Sequence, residues 1–231
     1  IEVDREFVES NKLIDQARFK NVALLIQGDV FAATTHMSLL LEAEKQLVKV
    51  QVINSSSLLT AVSKLGLSLY NFGKTISISF NEKETAFDNF KVNYKNSMHT
   101  LILLDLDPKN NKFVDIKQGL NYFKNRGVTD IKVIAISRLN MRNEKIKYAH
   151  MPEIESEKWD EFPQAIIIPG KLHFLEEEAL RRFGDKKFAQ YFSGSRRYQR
   201  SGGGQKSAGN RRGRRAQHRH LRPARHGQNS A

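Results

Sequence analysis

The sequence alternates apolar runs of strand length with amphipathic segments of helix length. The runs at residues 21–26 (NVALLI) and 164–170 (QAIIIPG) are continuous, which is typical of strands buried on both faces. Strands are expected at residues 21–26, 49–53, 75–80, 99–106, 130–137, 145–149 and 164–170. Helices are expected at residues 5–18, 35–47, 84–97, 112–127 and 174–184, with a short one ending at Gly66. This alternation predicts an α/β fold with mostly parallel sheets.

The predicted elements fall into two lobes followed by a basic tail. The segment YNFGK at residues 70–74 predicts the junction between an N-terminal α/β domain (1–74) and a C-terminal α/β domain (75–184). Of the 38 Lys and Arg residues, 13 lie beyond Asp185, where no acidic residue occurs. The net charge of +13 therefore belongs to residues 186–231, and the whole tail, residues 185–231, is rich in Gly, Ser and Arg. Such a segment buries too little apolar surface to offset its ordering entropy, so we expect it to be disordered.

The tail leaves three interpretations open: a solvated extension, an end that is not native, or an arm that binds RNA or another anionic surface through its Arg and Lys residues. The rest of the chain excludes several classes of site. It has no cysteine for a disulfide, a thiolate zinc site or a nucleophile. No apolar run approaches the ~20 residues of a membrane span. Phosphate-binding glycine loops, the G-x-S-x-G motif and the H-E-x-x-H motif are all missing from the sequence.

Histidines occur singly along the body of the chain, without the spacing of metal ligands, and we expect no metal. They are His36, His99, His150 and His173. A cofactor that brings its own reactivity suits such a chain best. In α/β sheets, ligands lie beyond the carboxyl ends of the strands. Four loops have that position in the sequence: QGDVFAATTH, NSSSLL, DLDPKNN and PGKLH.

The loop that follows the first predicted strand has residues that could bind a ligand. Gly28 permits a sharp turn, Asp29 can accept hydrogen bonds, and Ala32 leaves space beside the backbone. The alternative is an ordinary turn in which Thr34 or Thr35 caps the following helix.

Five segments, taken together, resemble the diphthine synthase family. They are GDVFAATTH (28–36), VQVINSSSLLTAV (50–62), GLSLYNFGKTISI (66–78), HTLILLDL (99–106) and PGKLHFLEEEAL (169–180). The resemblance covers about residues 20–183. Members of this family are S-adenosylmethionine-dependent methyltransferases with the two-domain tetrapyrrole-methylase fold. The combination of the first and last segments is the specific part, since Gly-Asp alone indicates only the wider superfamily.

The resemblance implies a methyl-donor site in a cleft between the two domains. The positions that match the family's donor contacts are Asp29, Ala32, Ser57, Leu58, Leu104, Leu139 and His173. Asp29 is expected to accept hydrogen bonds from the donor, and Leu58 and Leu104 to form apolar walls. Leu139 stands where the family usually has a small residue. The residues identify no catalytic side chain.

The family also implies a cytoplasmic homodimer that acts on translation elongation factor 2. Its substrate is the modified histidine of that protein, whose amino group is methylated on the way to diphthamide. Family members carry a strand and a glycine-rich loop upstream of GD-x-x-x-ATTH, so we expect the first domain to be truncated. Two other hypotheses stay open: another methylase of the same superfamily, and a non-catalytic RNA- or ribosome-associated protein that acts through the tail.

Overall fold

A five-stranded sheet organises the part of the chain that this computed structural model describes, which is residues 7–184 without residues 9 and 82. Its strands are β1 (Ile76–Ile78), β2 (Thr100–Leu104), β5 (Lys132–Ser137), β6 (Lys145–His150) and β7 (Gln164–Ile168), in the spatial order β1-β2-β7-β5-β6. The remaining strands, β3 (Leu106–Asp107) and β4 (Lys112–Phe113), form a separate small hairpin.

The expected α/β class is confirmed, but the expectation of mostly parallel strands is wrong for this sheet. Only β1 and β2 pair in parallel, and the β2–β7, β7–β5 and β5–β6 pairs are antiparallel. The short connection from Ser137 to Lys145 permits only an antiparallel pairing of β5 with β6, since a parallel crossover needs a dozen or more residues. In the other two pairs, β7 lies between β2 and β5 and runs opposite to both.

The position of β7 determines which loops share an edge of the sheet. Because β2 and β5 both run antiparallel to β7, they are parallel to each other, and their carboxyl ends meet at one edge. The chain leaves β7 at the opposite edge, where Ile168 pairs with Thr100. The loop after Ser137 therefore lies near the end of β2, and the turn after Ile168 lies near its start.

Successive residues of the strands point to opposite faces of the sheet, and each face has its own apolar cluster. The first cluster contains Ile102, Leu104 and Phe123, and the second contains Leu101, Ile136 and Leu180. The first face is covered by α4 (Glu84–Lys95), α5 (Ile116–Lys124) and α6 (Met151–Glu155). The second face is covered by α3 (Leu58–Ala61), the 3₁₀ turn Val62–Leu65 and α7 (Phe174–Gly184).

The first seventy residues contain the helices but not the strands that the sequence predicts. Helices α1 (Lys12–Ala17) and α2 (Met37–Lys45) lie inside their predicted ranges. Residues 21–26 and 49–53 do not form strands, so this prediction is wrong. A strand needs a hydrogen-bonded neighbour, and neither segment has one in the described part of the chain. Most of their apolar side chains are exposed, including Leu25 at 93% and Ile53 at 76%.

The other predicted elements are present, most of them with shorter bounds, although α7 matches its predicted range and β6 extends one residue beyond its own. Two elements were missed. One is α6, which begins just before Pro152, and the other is the hairpin of β3 and β4 around the 3₁₀ turn Pro108–Asn110. The expected domain boundary at residue 74 stays a prediction, and the tail 185–231 lies outside the described residues. Among the helices of the described residues, none is long and apolar enough to cross a membrane.

Candidate functional site

The loop at residues 28–36 is organised by the carboxylate of Asp29. Gly28 precedes it with a φ of +92°, a conformation that residues with a side chain rarely adopt. The Oδ1 of Asp29 accepts hydrogen bonds from the backbone N–H groups of Phe31 at 2.9 Å and Ala32 at 3.0 Å. Donation from Phe31, opposed by partial desolvation, lowers the pKa of Asp29, and the N–H groups of Ser55 and Ala32 lower it further. Asp29 is therefore held in its ionised form.

The same carboxylate joins two of the four candidate loops, QGDVFAATTH and NSSSLL. The N–H of Ser55 donates to Asp29 Oδ2 at 3.3 Å. Two residues later, Ser57 is the N-cap of α3 and forms a capping box with Thr60. The structure thus brings Asp29 and Ala32 close to the start of α3, where Ser57 and Leu58 lie.

The apolar residues of the predicted site divide between the two faces of the sheet. Leu58 and Leu139 both pack against the second cluster, as does Leu172, which precedes His173. Leu104 lies in the first cluster, so its side chain is on the opposite face. The side chains of Leu58 and Leu104 therefore lie on different faces of the sheet, and their expected role as apolar walls of a donor site stays a prediction.

A network of hydrogen bonds surrounds the turn that contains His173. The N–H of Gly170 donates to His99 Nδ1 at 2.9 Å, and His99 Nε2 lies 3.2 Å from Glu176 Oε1. Glu176 Oε1 also accepts from the N–H of Ser68 at 2.8 Å, and Oε2 accepts from the N–H of His173 at 2.9 Å. The backbone at His173 is therefore fixed by a carboxylate that also holds the segment leading to β1.

Glu176 remains ionised although it is buried. Burial raises the pKa of its carboxyl group, but the hydrogen bonds from His173, Ser68 and His99 together outweigh this effect, so the pKa lies below its usual value. A carboxylate that accepts several hydrogen bonds keeps its charge in this way.

Replacing Glu176 by glutamine is expected to remove a pH-dependent part of the stability. Since folding lowers the pKa of Glu176, its contribution is present above its ordinary value of 4.5 and is lost as the pH falls through the lower folded value. The free energy of unfolding should therefore differ most between wild type and Glu176→Gln near neutral pH, and the difference should shrink in acid. Urea unfolding at a series of pH values measures it. Glu178→Gln changes an exposed residue of the same helix and should follow the wild-type profile.

Two cavities of about 450 and 620 Å³ lie at the edge of the sheet where β5 begins, and they share Lys132 and Tyr148. The smaller cavity is also lined by Gly170 and Lys171 of the turn before His173. Burial raises the pKa of Tyr148, and the charge of Glu177 adds to this effect. None of the seven predicted donor-site residues lines either cavity.

Sequence reasoning missed His99 and Glu176 as part of this region. In the sequence, His99 is one of several isolated histidines, and nothing near it indicates a partner. Glu176 carried a recognisable signal, because glutamate three residues after the N-cap position of a helix is the second half of a capping box. His173 occupies that N-cap position before α7, and Glu176 accepts its N–H.

Asp29 and the leucines of the second face offer polar and apolar groups of the kind that a methyl donor requires. No group of three or more His, Asp or Glu side chains within the described residues could hold a metal. Asp29 is ionised, and its Oδ2 accepts only the N–H of Ser55, so this oxygen can accept one further hydrogen bond from a hydroxyl or amino group. Leu58 and Leu139, which are only partly buried, supply apolar surface on the second face.

Comparison with known proteins identifies the family of the chain. A profile of the family described as Tetrapyrrole (Corrin/Porphyrin) Methylases matches residues 4–155. The chain is 37% identical to a diphthine synthase of Methanocaldococcus jannaschii over 78% of its own length and 76% of that protein. It is 33% identical to a diphthine synthase of Archaeoglobus fulgidus, with 80% and 75% covered.

The fold agrees with these sequence relationships. The crystal structure of a diphthine synthase superposes with a TM-score of 0.73 at 31% identity, covering 82% of this chain and 78% of the other. These relatives favour an enzyme over the RNA-binding alternative. The chain belongs to the tetrapyrrole methylase family, and within it to the diphthine synthases.

Proposed function

We propose that this methyltransferase of diphthamide biosynthesis takes its methyl group from S-adenosylmethionine. Its acceptor is the amino group of the modified histidine of translation elongation factor 2. The proposal is supported by the relatives named diphthine synthase. The observation in the chain itself that carries it is the ionised Asp29, which joins the loop after residue 28 to the loop before α3.

In the proposed reaction, the main role of the protein is to bind and orient the two reactants. When bound, S-adenosylmethionine supplies an electrophilic methyl group attached to a sulfonium. After transfer of the methyl group, the sulfur leaves as a neutral thioether. Asp29 accepts hydrogen bonds from polar groups of the donor, and Leu58 and Leu139 exclude water from its apolar parts. The proposal also includes Leu104 and the turn that leads to His173, which lie at opposite ends of the β2–β7 pair. Alignment of the amine with the methyl group supplies the rate enhancement, and no side chain is assigned as a base.

The same proposal includes a homodimer in the cytoplasm and no resident metal. The resemblance to the family supports both the dimer and the compartment. Light scattering on the purified chain measures the oligomeric state directly, and a monomer at micromolar concentration would contradict the dimer.

Calorimetry with S-adenosylmethionine and a methyl-transfer assay test the function. Mass spectrometry of elongation factor 2 that carries the precursor of diphthine is expected to show added methyl groups after incubation with enzyme and donor. Elongation factor 2 with the unmodified histidine is the matched control and should gain none. Donor binding without transfer to the protein, together with methylation of a tetrapyrrole, would replace this assignment by another methylase of the superfamily. Failure to bind the donor would overturn it.

A further inference from the structure

The carboxylate of Glu176 gathers hydrogen-bond donors from three separate segments of the chain. Ser68 and Asn71 donate from the segment before β1, His99 from the residue before β2, and His173 from the turn after β7. Glu176 is 4% exposed and His99 is fully buried. Placing an ionised carboxylate in such a position is costly unless all of these donors are present. An apolar side chain would fill the space without this cost, so stability alone gives no reason for a carboxylate here.

The ring of His99 connects this carboxylate to the turn. Its Nδ1 accepts the N–H of Gly170, so the ring hydrogen lies on Nε2 and is directed at Glu176. Gly170 and His173 are the first and last residues of a turn that continues neither β7 nor α7. Their two backbone N–H groups have the imidazole and the carboxylate as partners, so the shape of the turn depends on this pair.

The turn has little freedom to adopt another position while these contacts are made. The N–H of Lys171 donates to the carbonyl of Ser97 at 3.1 Å. A Cβ on Gly170 would lie 2.2 Å from that same carbonyl oxygen, which shows how closely the turn approaches the chain before β2. The ring of His173 packs on Phe174 with 4.2 Å between centroids.

We propose that His99 and Glu176 are positioning residues that hold the 170–173 turn, and through it His173, in the geometry that binds the methyl donor. This inference rests on the proposed function, in which His173 belongs to the donor site. His99 and Glu176 themselves do not touch the donor. Their effect passes through the backbone N–H groups of Gly170 and His173.

Two substitutions of His99 separate its contact with Gly170 from its contact with Glu176. In His99→Asn the amide oxygen takes the place of Nδ1 and can accept from Gly170, but the side chain does not reach Glu176. In His99→Gln the amide nitrogen takes the place of Nε2 and can donate to Glu176, but Gly170 loses its acceptor. His99→Ala removes both contacts. Calorimetry of the full chain with S-adenosylmethionine measures the dissociation constant for each variant.

We expect His99→Ala to weaken donor binding by about tenfold or more, because small displacements of positioned groups have large effects. His99→Asn and His99→Gln should each recover part of this loss. In the transfer assay, the Michaelis constant for the donor should rise in the same order, while that for elongation factor 2 should stay at the wild-type value. Glu176→Gln, which keeps one acceptor oxygen, should fall between wild type and His99→Ala.

Ile154→Val is the control for a purely structural effect, since Ile154 is buried in the first cluster on the other side of the sheet. It should lower the melting temperature without changing the affinity for the donor. If the His99 variants lower the melting temperature but bind the donor as the wild type does, the inference is overturned and the proposed function stands. If the wild type does not bind the donor, both are overturned.

Discussion

Replacement of Gly170 by alanine is expected to destabilise the fold by about 3 kcal/mol, the upper part of the range for overpacking a tight site. An added Cβ would lie 2.2 Å from the carbonyl oxygen of Ser97 and 2.6 Å from the carbonyl carbon of Met98. These are backbone atoms, which cannot swing aside as the end of a side chain can. The turn must therefore move away from His99, and the hydrogen bond from the N–H of Gly170 is lost. Urea unfolding followed by circular dichroism measures the effect.

Gly127→Ala separates this clash from the general effect of replacing a glycine. Gly127 lies three residues after the end of α5 and has a φ of +85°. An added Cβ there would meet no atom within 4 Å. Its substitution should therefore cost only the strain of a left-handed alanine, about 1 kcal/mol. Equal losses of stability in the two variants would contradict the close approach of the 170–173 turn to Ser97.

Hydrophobic patterning predicted the five-stranded sheet well because its three central strands, β2, β7 and β5, are almost wholly buried. The run QAIII at Gln164–Ile168 lies at the centre of the sheet, and every residue in it is buried. An apolar run of this length leaves few alternatives to a buried strand. Strand direction could not be predicted in the same way. It depends on which strands become neighbours, and the insertion of β7 between β2 and β5 leaves no local mark in the sequence.

The same patterning failed at residues 21–26 and 49–53 for a different physical reason. An apolar run measures the tendency of a segment to be buried, but a strand also needs a neighbour for its backbone groups. Val22 and Val52 are partly exposed, and no strand lies beside either segment in the described residues. The hydrophobic pattern therefore indicates that these segments can be buried, but they form strands only if a neighbouring strand pairs with their backbone.

The candidate site could be predicted from the sequence where a residue makes its hydrogen bonds within its own loop. Asp29 organises its neighbours Phe31 and Ala32, and the sequence Gly-Asp followed by small residues already indicates such a turn. The contact of Asp29 with Ser55 depends on how two loops pack, as does that of His99 with Glu176, 77 residues later. The face of the sheet on which the side chain of Leu104 lies could not be predicted either, since a shift of one residue along a strand moves a side chain to the other face.

Replacement of Asp29 by alanine is expected to weaken binding of S-adenosylmethionine by roughly a hundredfold, because it removes charge-assisted hydrogen bonds that act in both loops. Three backbone N–H groups lose their acceptor, those of Phe31, Ala32 and Ser55. The loop at residues 28–36 is then free to separate from the loop before α3, and the proposed contact with the donor disappears as well. Calorimetry measures the affinity.

Asp29→Asn separates the contribution of the turn within the loop from that of the charge and the link to Ser55. The amide oxygen can still accept from Phe31 and Ala32, so the turn within the loop is kept. The amide nitrogen would then face the N–H of Ser55, which is a donor opposite a donor, and the link between the loops is lost. An affinity for the donor between those of wild type and Asp29→Ala would show that both contacts matter. An affinity equal to that of Asp29→Ala would place the whole effect in the charge and in the link to Ser55, whereas wild-type affinity in both variants would exclude Asp29 from the donor site.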